Sequence, residues 1–286
     1  MPLSKNTLCR IGVFPIRDHY YEPLFNPASL RRSLREDRLL PGIDLNIQEQ
    51  LTTLNSFAFA EELTRFPLDD PGGNKKVFYY HNGAYVSGDA EYLYGMIRLF
   101  KPLRFIEVGS GFSTLMTIEA IRMNQRIDPE YRCEMICIEP YEQPWLDDLG
   151  VTVVREPVEK GHRHMFAALE RNDILFIDSS HMIRPQGDVL YLYQEVLPSL
   201  KPGVFVHIHD VFTPKDYLDD WVLKHVLFWN EQYFLEAFLT FNSEFHVTGA
   251  LNYLAHNYRE QLAEKCPIFA MEASECEPGA FWIRRV

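Results

Sequence analysis

The stretch Arg104–Leu115, R-F-I-E-V-G-S-G-F-S-T-L, constrains the fold more than any other part of the chain. An apolar run ends in the carboxylate Glu107. Gly109 and Gly111 follow with one residue between them, and Ser113-Thr114 then lead into a helical pattern. The glycines permit a sharp turn and close ligand approach because neither carries a Cβ. Strand, glycine turn and helix start together form the construction with which α/β sheets hold a nucleoside-bearing ligand.

The rest of the chain continues that alternation. Apolar strands are expected at Arg104–Val108, Glu134–Glu139, Val151–Arg155, Asp173–Asp178 and Val204–Asp210. Helical patterns lie between them at Ser113–Asn124, Gln143–Leu149, Gly161–Leu169 and Gly187–Leu200. Asp89 reads as the N-cap of a further helix over Ala90–Phe100. Such alternation implies a parallel sheet with helices on both faces. The rule breaks near the end of the chain. A helix over Glu231–Thr240 is followed by a strand at Phe245–Leu251, a polar irregular stretch and a strand at Ala280–Arg285, read as a closing antiparallel hairpin. The fold class expected is therefore α/β: a Rossmann-like, seven-stranded sheet of five parallel βα units plus a C-terminal antiparallel hairpin.

Residues 1–85 read as an N-terminal cap preceding a domain over residues 86–286. They carry scattered prolines, one helix over Leu45–Arg65 and a loop over Pro67–Asn74. Phe78–Val86 reads as a short hairpin around Asn82-Gly83. The cluster Arg31, Arg32, Arg35 and Arg38 reads as a solvated helix face, with an anion-binding patch as the alternative.

Composition narrows the partners. Forty acidic side chains against 28 basic ones, a net charge of −12, lack the basic footprint of a nucleic-acid binder and favour a small organic acceptor. The five cysteines, Cys9, Cys133, Cys137, Cys266 and Cys276, include no C-x-x-C pair, which points to reduced thiols in a cytoplasmic setting, without disulfides or zinc. No apolar stretch approaches the ~20 residues of a membrane helix, so no membrane association is expected. Lys5 and Arg10 are followed by no apolar segment of the signal-peptide kind. A homo-oligomer is left open.

The glycine turn favours S-adenosylmethionine over a dinucleotide. A dinucleotide site uses a third glycine around the pyrophosphate, and Ser113-Thr114 stands in that region here. S-adenosylmethionine has no pyrophosphate but carries an ammonium and a sulfonium, which a carboxylate such as Glu107 would favour. Ser110, Ser113 and Thr114, beside Gly109 and Gly111 at the helix N-terminus, are placed to meet the methionine carboxylate. Glu139, at the tip of the second strand, suits the two ribose hydroxyls. Pro157-Val158-Glu159 would edge the adenine, and Asp178 and Ser179 complete the cofactor set.

E-V-G-S-G-F-S-T, I-E-P, F-I-D-S-S-H, H-D-V-F-T-P and W-N-E-Q-Y together resemble the class I S-adenosylmethionine-dependent methyltransferases, which include small O-methyltransferases of sugars and natural products. The resemblance spans roughly Tyr85–Val286. It implies the seven-stranded fold, S-adenosylmethionine and a small-molecule acceptor.

The reaction centre is expected where strands four and five end, at Asp178, Ser179, Ser180 and His181, and at His207, His209 and Asp210. Methyl transfer is an in-line displacement that depends on placing the acceptor. A hydroxyl must also lose its proton, to a base or through a metal. His181 is the leading base candidate and His209 the second, with Asp178 orienting them. The rival arrangement is a metal. The resemblance implies magnesium held by acids after strands four and five, which Asp178 and Asp210 match. The third position is His209, which suits a softer divalent ion better. Thr213–Trp229 would fold over the acceptor, and Trp229-Asn230-Glu231-Gln232-Tyr233 opens the next helix with aromatic residues that read chiefly as core. His19, Tyr20, Tyr21, Phe78, Tyr79, Tyr80 and His81 read either as a further pocket wall or as packing of the cap. An N-methyltransferase, an inactive methyltransferase-like scaffold and a nicotinamide oxidoreductase are the other readings.

Overall fold

The computed structural model describes residues 7–19, 21–141, 143–272 and 276–286. Its centre is a seven-stranded sheet of β1 (Arg104–Val108), β2 (Glu134–Ile138), β3 (Thr152–Val154), β4 (Ile174–Ile177), β5 (Phe205–Ile208), β6 (Phe245–Ala250) and β7 (Phe281–Arg285). The spatial order is β3-β2-β1-β4-β5-β7-β6. β1 to β5 run parallel, and β7 enters antiparallel between β5 and β6. The expected fold class is the one observed.

Period-two alternation divides the core between the two faces of the sheet. Phe105, Met135, Cys137, Phe176, Phe205 and Trp282 point into one apolar cluster. Ile106, Ile136, Leu175, Ile177, Val206 and Ile283 point into the other. Burial on both faces is why these strands read as nearly continuous apolar runs. The first cluster is closed by α3 (Asp89–Phe100) and α4 (Phe112–Ile127). It also takes in Leu54, Phe57, Leu63, Phe78 and Tyr80, so the segment before β1 shares the core of the sheet.

Several local expectations change. The segment expected as one helix over Leu45–Arg65 forms two, α1 (Ile47–Asn55) and α2 (Ala60–Leu63). Gln50 of α1 accepts a hydrogen bond from the Ala250 N–H at 2.7 Å, fastening this region to β6. The hairpin expected in Phe78–Val86 is a 3₁₀ turn over Tyr80–Asn82, closed by Asn82 Nδ2 donating to the carbonyls of Tyr79 and Tyr85. Asp89 is not the N-cap. Gly88 takes that position, and the Asp89 carboxylate instead accepts the N–H groups of Gly279 and Ala280 at 2.9 and 2.8 Å. The stretch between β6 and β7 is helical, at Leu251–Asn257, Arg259–Lys265 and Pro267–Glu272. The arginine cluster forms no solvated helix face: Arg32, Arg35 and Arg38 dock on Asp216 and Glu236, which lie after β5.

Candidate active site

The loops after β1, β2, β3 and β4 enclose a cavity of about 530 Å³, within the range of small-molecule sites. Its wall includes Gly109 after β1, Glu139 after β2, Pro157, Val158 and Glu159 after β3, and Asp178, Ser179 and Ser180 after β4. Arg184 to Asp188 close it from the side. Ser180 is fixed there by its N–H and Oγ, which both donate to Asp188 at 2.7 Å.

Gly109 turns the chain with a φ of +79°, and a Cβ there would lie 1.8 Å from the Asp178 carbonyl oxygen. Only glycine meets both demands. Glu139 is held in the wall by the Ser110 N–H at 3.2 Å and the Tyr141 N–H at 3.0 Å. The lining presents the carboxylates Glu139, Glu159, Asp178 and Asp188 against the single guanidinium of Arg184. Ser179 Oγ is buried without a hydrogen-bond partner among the described residues. These donors and acceptors fit a ligand with a cationic centre and ribose hydroxyls.

Five residues of the expected cofactor set do not line this cavity. Glu107 is fully buried behind it and accepts hydrogen bonds from Ser113 Oγ at 2.7 Å and Thr114 Oγ1 at 2.5 Å. Thr114 Oγ1 also takes the Gly111 N–H at 3.0 Å, so this group braces the glycine turn from inside. Burial pushes the Glu107 carboxyl up to about 7 against those hydroxyl contacts. Ser110 contributes its N–H to Glu139.

The reaction centre adjoins the cavity through Asp178. His181 Nε2 lies 3.2 Å from Asp178 Oδ1 and 3.4 Å from Asp210 Oδ2, and Nδ1 lies 2.9 Å from Glu231 Oε2. His209 Nδ1 lies 3.5 Å from the other oxygen of each aspartate, and its Nε2 lies 3.4 Å from Asp89 Oδ2. Burial opposes charge on His181, but the contacts with Asp178, Glu231 and Asp210 prevail and push its pKa up to about 10. Asp210 and Asp178 likewise overcome burial at His209 and raise it well above the usual histidine range. Burial would raise Asp178, yet His209 and His181 hold it well below the carboxylate range.

With no ion between them, these carboxylate contacts favour the protonated imidazole at both expected base candidates, His181 and His209. The expected metal set also changes. Ligand atoms of Asp178, His181 and Asp210 all lie within 4.8 Å of one another, so His181 joins the group in which His209 was expected. A left-handed turn at His181, φ +57°, folds it back over the strand tips. Trp229 packs on its ring with centroids 4.4 Å apart.

Sequence reasoning missed two anchors of this centre. Glu231 is the first residue of α5 (Glu231–Leu239); its motif, W-N-E-Q-Y, was read for its aromatic residues. Asp89 was read only as a helix cap. His207, by contrast, is a core residue. It stacks on Phe176 at 4.0 Å with neither ring nitrogen hydrogen-bonded to a described residue, and burial lowers its pKa, favouring the neutral ring.

The segment after β5 packs as core. Phe212, Tyr217 and Val222 form a third cluster with Leu34, backed by Trp221 and Trp229. The described cap aromatics do not line the cavity: Phe78 and Tyr80 are buried, Tyr79 meets Phe112 at 5.2 Å, and His19, Tyr21 and His81 are exposed. Tyr20 lies outside the described residues.

A sheet of this order, with its cavity on the glycine turn after β1, defines a class I S-adenosylmethionine-dependent methyltransferase domain. Residues 106–211 match the family described as methyltransferase domain. The chain is also similar to an uncharacterized protein of Archaeoglobus fulgidus, 31% identical over 173 residues, 57% of this chain and 76% of that protein. The chain belongs to the methyltransferase-domain family, and the activity of that domain is S-adenosylmethionine-dependent methyl transfer. Among the described residues, no helix is long and apolar enough to cross a membrane.

Proposed function

We propose that this protein methylates a hydroxyl of a small molecule, such as a sugar, polyol or other secondary metabolite. The observation that carries the reading is the Asp178, His181, Asp210 cluster beside the cavity. S-adenosylmethionine, when bound, would supply an electrophilic methyl group, and a divalent ion would supply positive charge that lowers the pKa of the acceptor hydroxyl. Asp178, His181 and Asp210 would hold the ion, and Glu139 and Ser179 would hold the nucleoside. Gly109 and Asp178, in backbone contact, fix the nucleoside wall relative to the acceptor, as in-line displacement requires. Trp229, backed by Tyr217 and Trp221, packs on the His181 ring and would limit water on that side of the centre.

Two measurements test the proposal. Calorimetry should detect S-adenosylhomocysteine binding at micromolar concentration, and no binding at millimolar ligand would overturn the cofactor assignment. Transfer of labelled methyl groups to a panel of polyols, sugars and amines should favour hydroxyl acceptors. Transfer to amines alone would replace O-methylation with N-methylation.

A further inference from the structure

We propose that Asp178, His181 and Asp210 bind a divalent ion of the first transition series, such as Mn²⁺, Fe²⁺ or Co²⁺, in preference to Mg²⁺, and that Glu231 is the positioning residue that makes His181 a ligand. The inference deepens the reading of the reaction centre given above and rests on it.

The donor set comes first. Ligand atoms bonded at about 2.1 Å with angles near 90° stand about 3 Å apart. His181 Nε2 already lies 3.2 Å from Asp178 Oδ1 and 3.4 Å from Asp210 Oδ2. Two carboxylate oxygens and one imidazole nitrogen thus converge without rearrangement of the backbone. Mg²⁺ prefers oxygen ligands, whereas imidazole suits the later divalent ions.

The surroundings orient every ligand. Glu231 Oε2 lies 2.9 Å from His181 Nδ1 and occupies the nitrogen that faces away from the aspartates. A carboxylate there fixes the ring's orientation and tautomer, leaving Nε2 for a metal. The same helix start holds the backbone, since the N–H groups of Asn230 and Glu231 both donate to the His181 carbonyl, at 3.0 and 3.1 Å. Trp229 covers the ring face. Glu231 itself is 1% exposed and cannot swing into solvent. On the opposite side, His209 Nδ1 meets Asp178 Oδ2 and Asp210 Oδ1, each at 3.5 Å. It thereby turns Asp178 Oδ1 and Asp210 Oδ2 toward His181. Asp89 backs His209 through its Nε2.

The test uses purified full-length protein dialysed against a chelator. Co²⁺ titration followed by visible absorption should give d–d bands at one equivalent. Competition by Mg²⁺ should require at least 100-fold more ion than competition by Mn²⁺. His181→Ala should abolish or shift the bands, with His181→Gln as the second variant if the first fails to fold. Glu231→Gln should weaken Co²⁺ binding by about 10- to 100-fold while leaving S-adenosylhomocysteine affinity unchanged. Equal competition by Mg²⁺ and Mn²⁺, or bands unchanged in both His181 variants, would overturn the ion assignment. Wild-type Co²⁺ affinity in Glu231→Gln would overturn the role of Glu231. Calorimetry on the same samples separates the two readings: S-adenosylhomocysteine binding without Co²⁺ binding defeats only the metal centre, and loss of nucleoside binding in the wild type defeats the proposed function.

Discussion

Gly109 and Asp178 meet backbone to backbone. The turn after β1 rests on the tip of β4 so closely that a Cβ on Gly109 would lie 1.8 Å from the Asp178 carbonyl oxygen. The Asp178 N–H also donates to the Val108 carbonyl at 2.8 Å, so the two strand tips are locked on both sides of the contact. Gly109→Ala should therefore lower stability by about 2–4 kcal/mol, from the steric clash and a left-handed φ together. It should also abolish measurable S-adenosylhomocysteine binding. Urea unfolding and calorimetry check both, and a variant with wild-type values would show that the tips separate easily.

Glu139 offers a cleaner probe of the nucleoside, because its contacts with the N–H groups of Ser110 and Tyr141 lie in the cavity wall and not in the core. Glu139→Ala should weaken S-adenosylhomocysteine binding by roughly 1–3 kcal/mol, the scale of a lost hydrogen bond to a charged group. Calorimetry at fixed salt reads this directly. Unchanged affinity would remove Glu139 from the ribose role.

These two residues also mark what was legible in the sequence. Gly109 and Glu139 sit at strand tips, and a strand tip in a parallel sheet has one address. The seven strands could be read for the same reason, since burial on both faces leaves an apolar run that needs no partner to be recognised. Glu107 was misassigned because a carboxylate beside a glycine turn looks the same whether it faces the cavity or the core. The decision belongs to Ser113 and Thr114, whose hydroxyls turn inward to it. The exchange of His181 for His209 in the metal group depends on a left-handed backbone turn that no residue type announced. Glu231 reaches the site from 50 residues further along the chain, a pairing that only the packing of α5 creates.

His207 and His209 should respond oppositely to removal of the imidazole. His207 stacks on Phe176 and Trp282 edges it at 4.8 Å, with both ring nitrogens buried and, among the described residues, unbonded. Replacing it by phenylalanine removes those unsatisfied groups, so stability should change by less than about 1 kcal/mol or rise. His209→Phe leaves Asp89, Asp178 and Asp210 facing an apolar ring and should cost about 3 kcal/mol or more, the scale of a broken buried ion pair. Urea unfolding of the two variants at one pH compares them. A larger loss at position 207 would contradict the assignment of His207 to the core.

The pH dependence of stability can be traced to a carboxyl outside the reaction centre. Glu91 is fully buried in α3 and accepts the N–H groups of Gly88, Ile268 and Phe269 at 3.0, 2.8 and 2.9 Å. Burial nevertheless prevails over those three donors and pushes its pKa from 4.5 up to about 7. The folded-state value stands above the unfolded one, so the stability this group contributes is fully present below about pH 4.5 and is lost as pH rises through about 7. Such a displacement makes roughly 3 kcal/mol of stability dependent on pH. Glutamine cannot ionise. Glu91→Gln should therefore flatten the decline of stability between pH 5 and 7 by up to about 1.4 kcal/mol per pH unit, the slope associated with one proton. The amide has one acceptor oxygen for three donors, so the variant should also lose a pH-independent 1–3 kcal/mol or so from an unsatisfied N–H. Urea unfolding curves for both proteins at intervals across that range separate the slope from the offset. Parallel curves for the two proteins would show that Glu91 is already ionised throughout, with its three donors prevailing over burial.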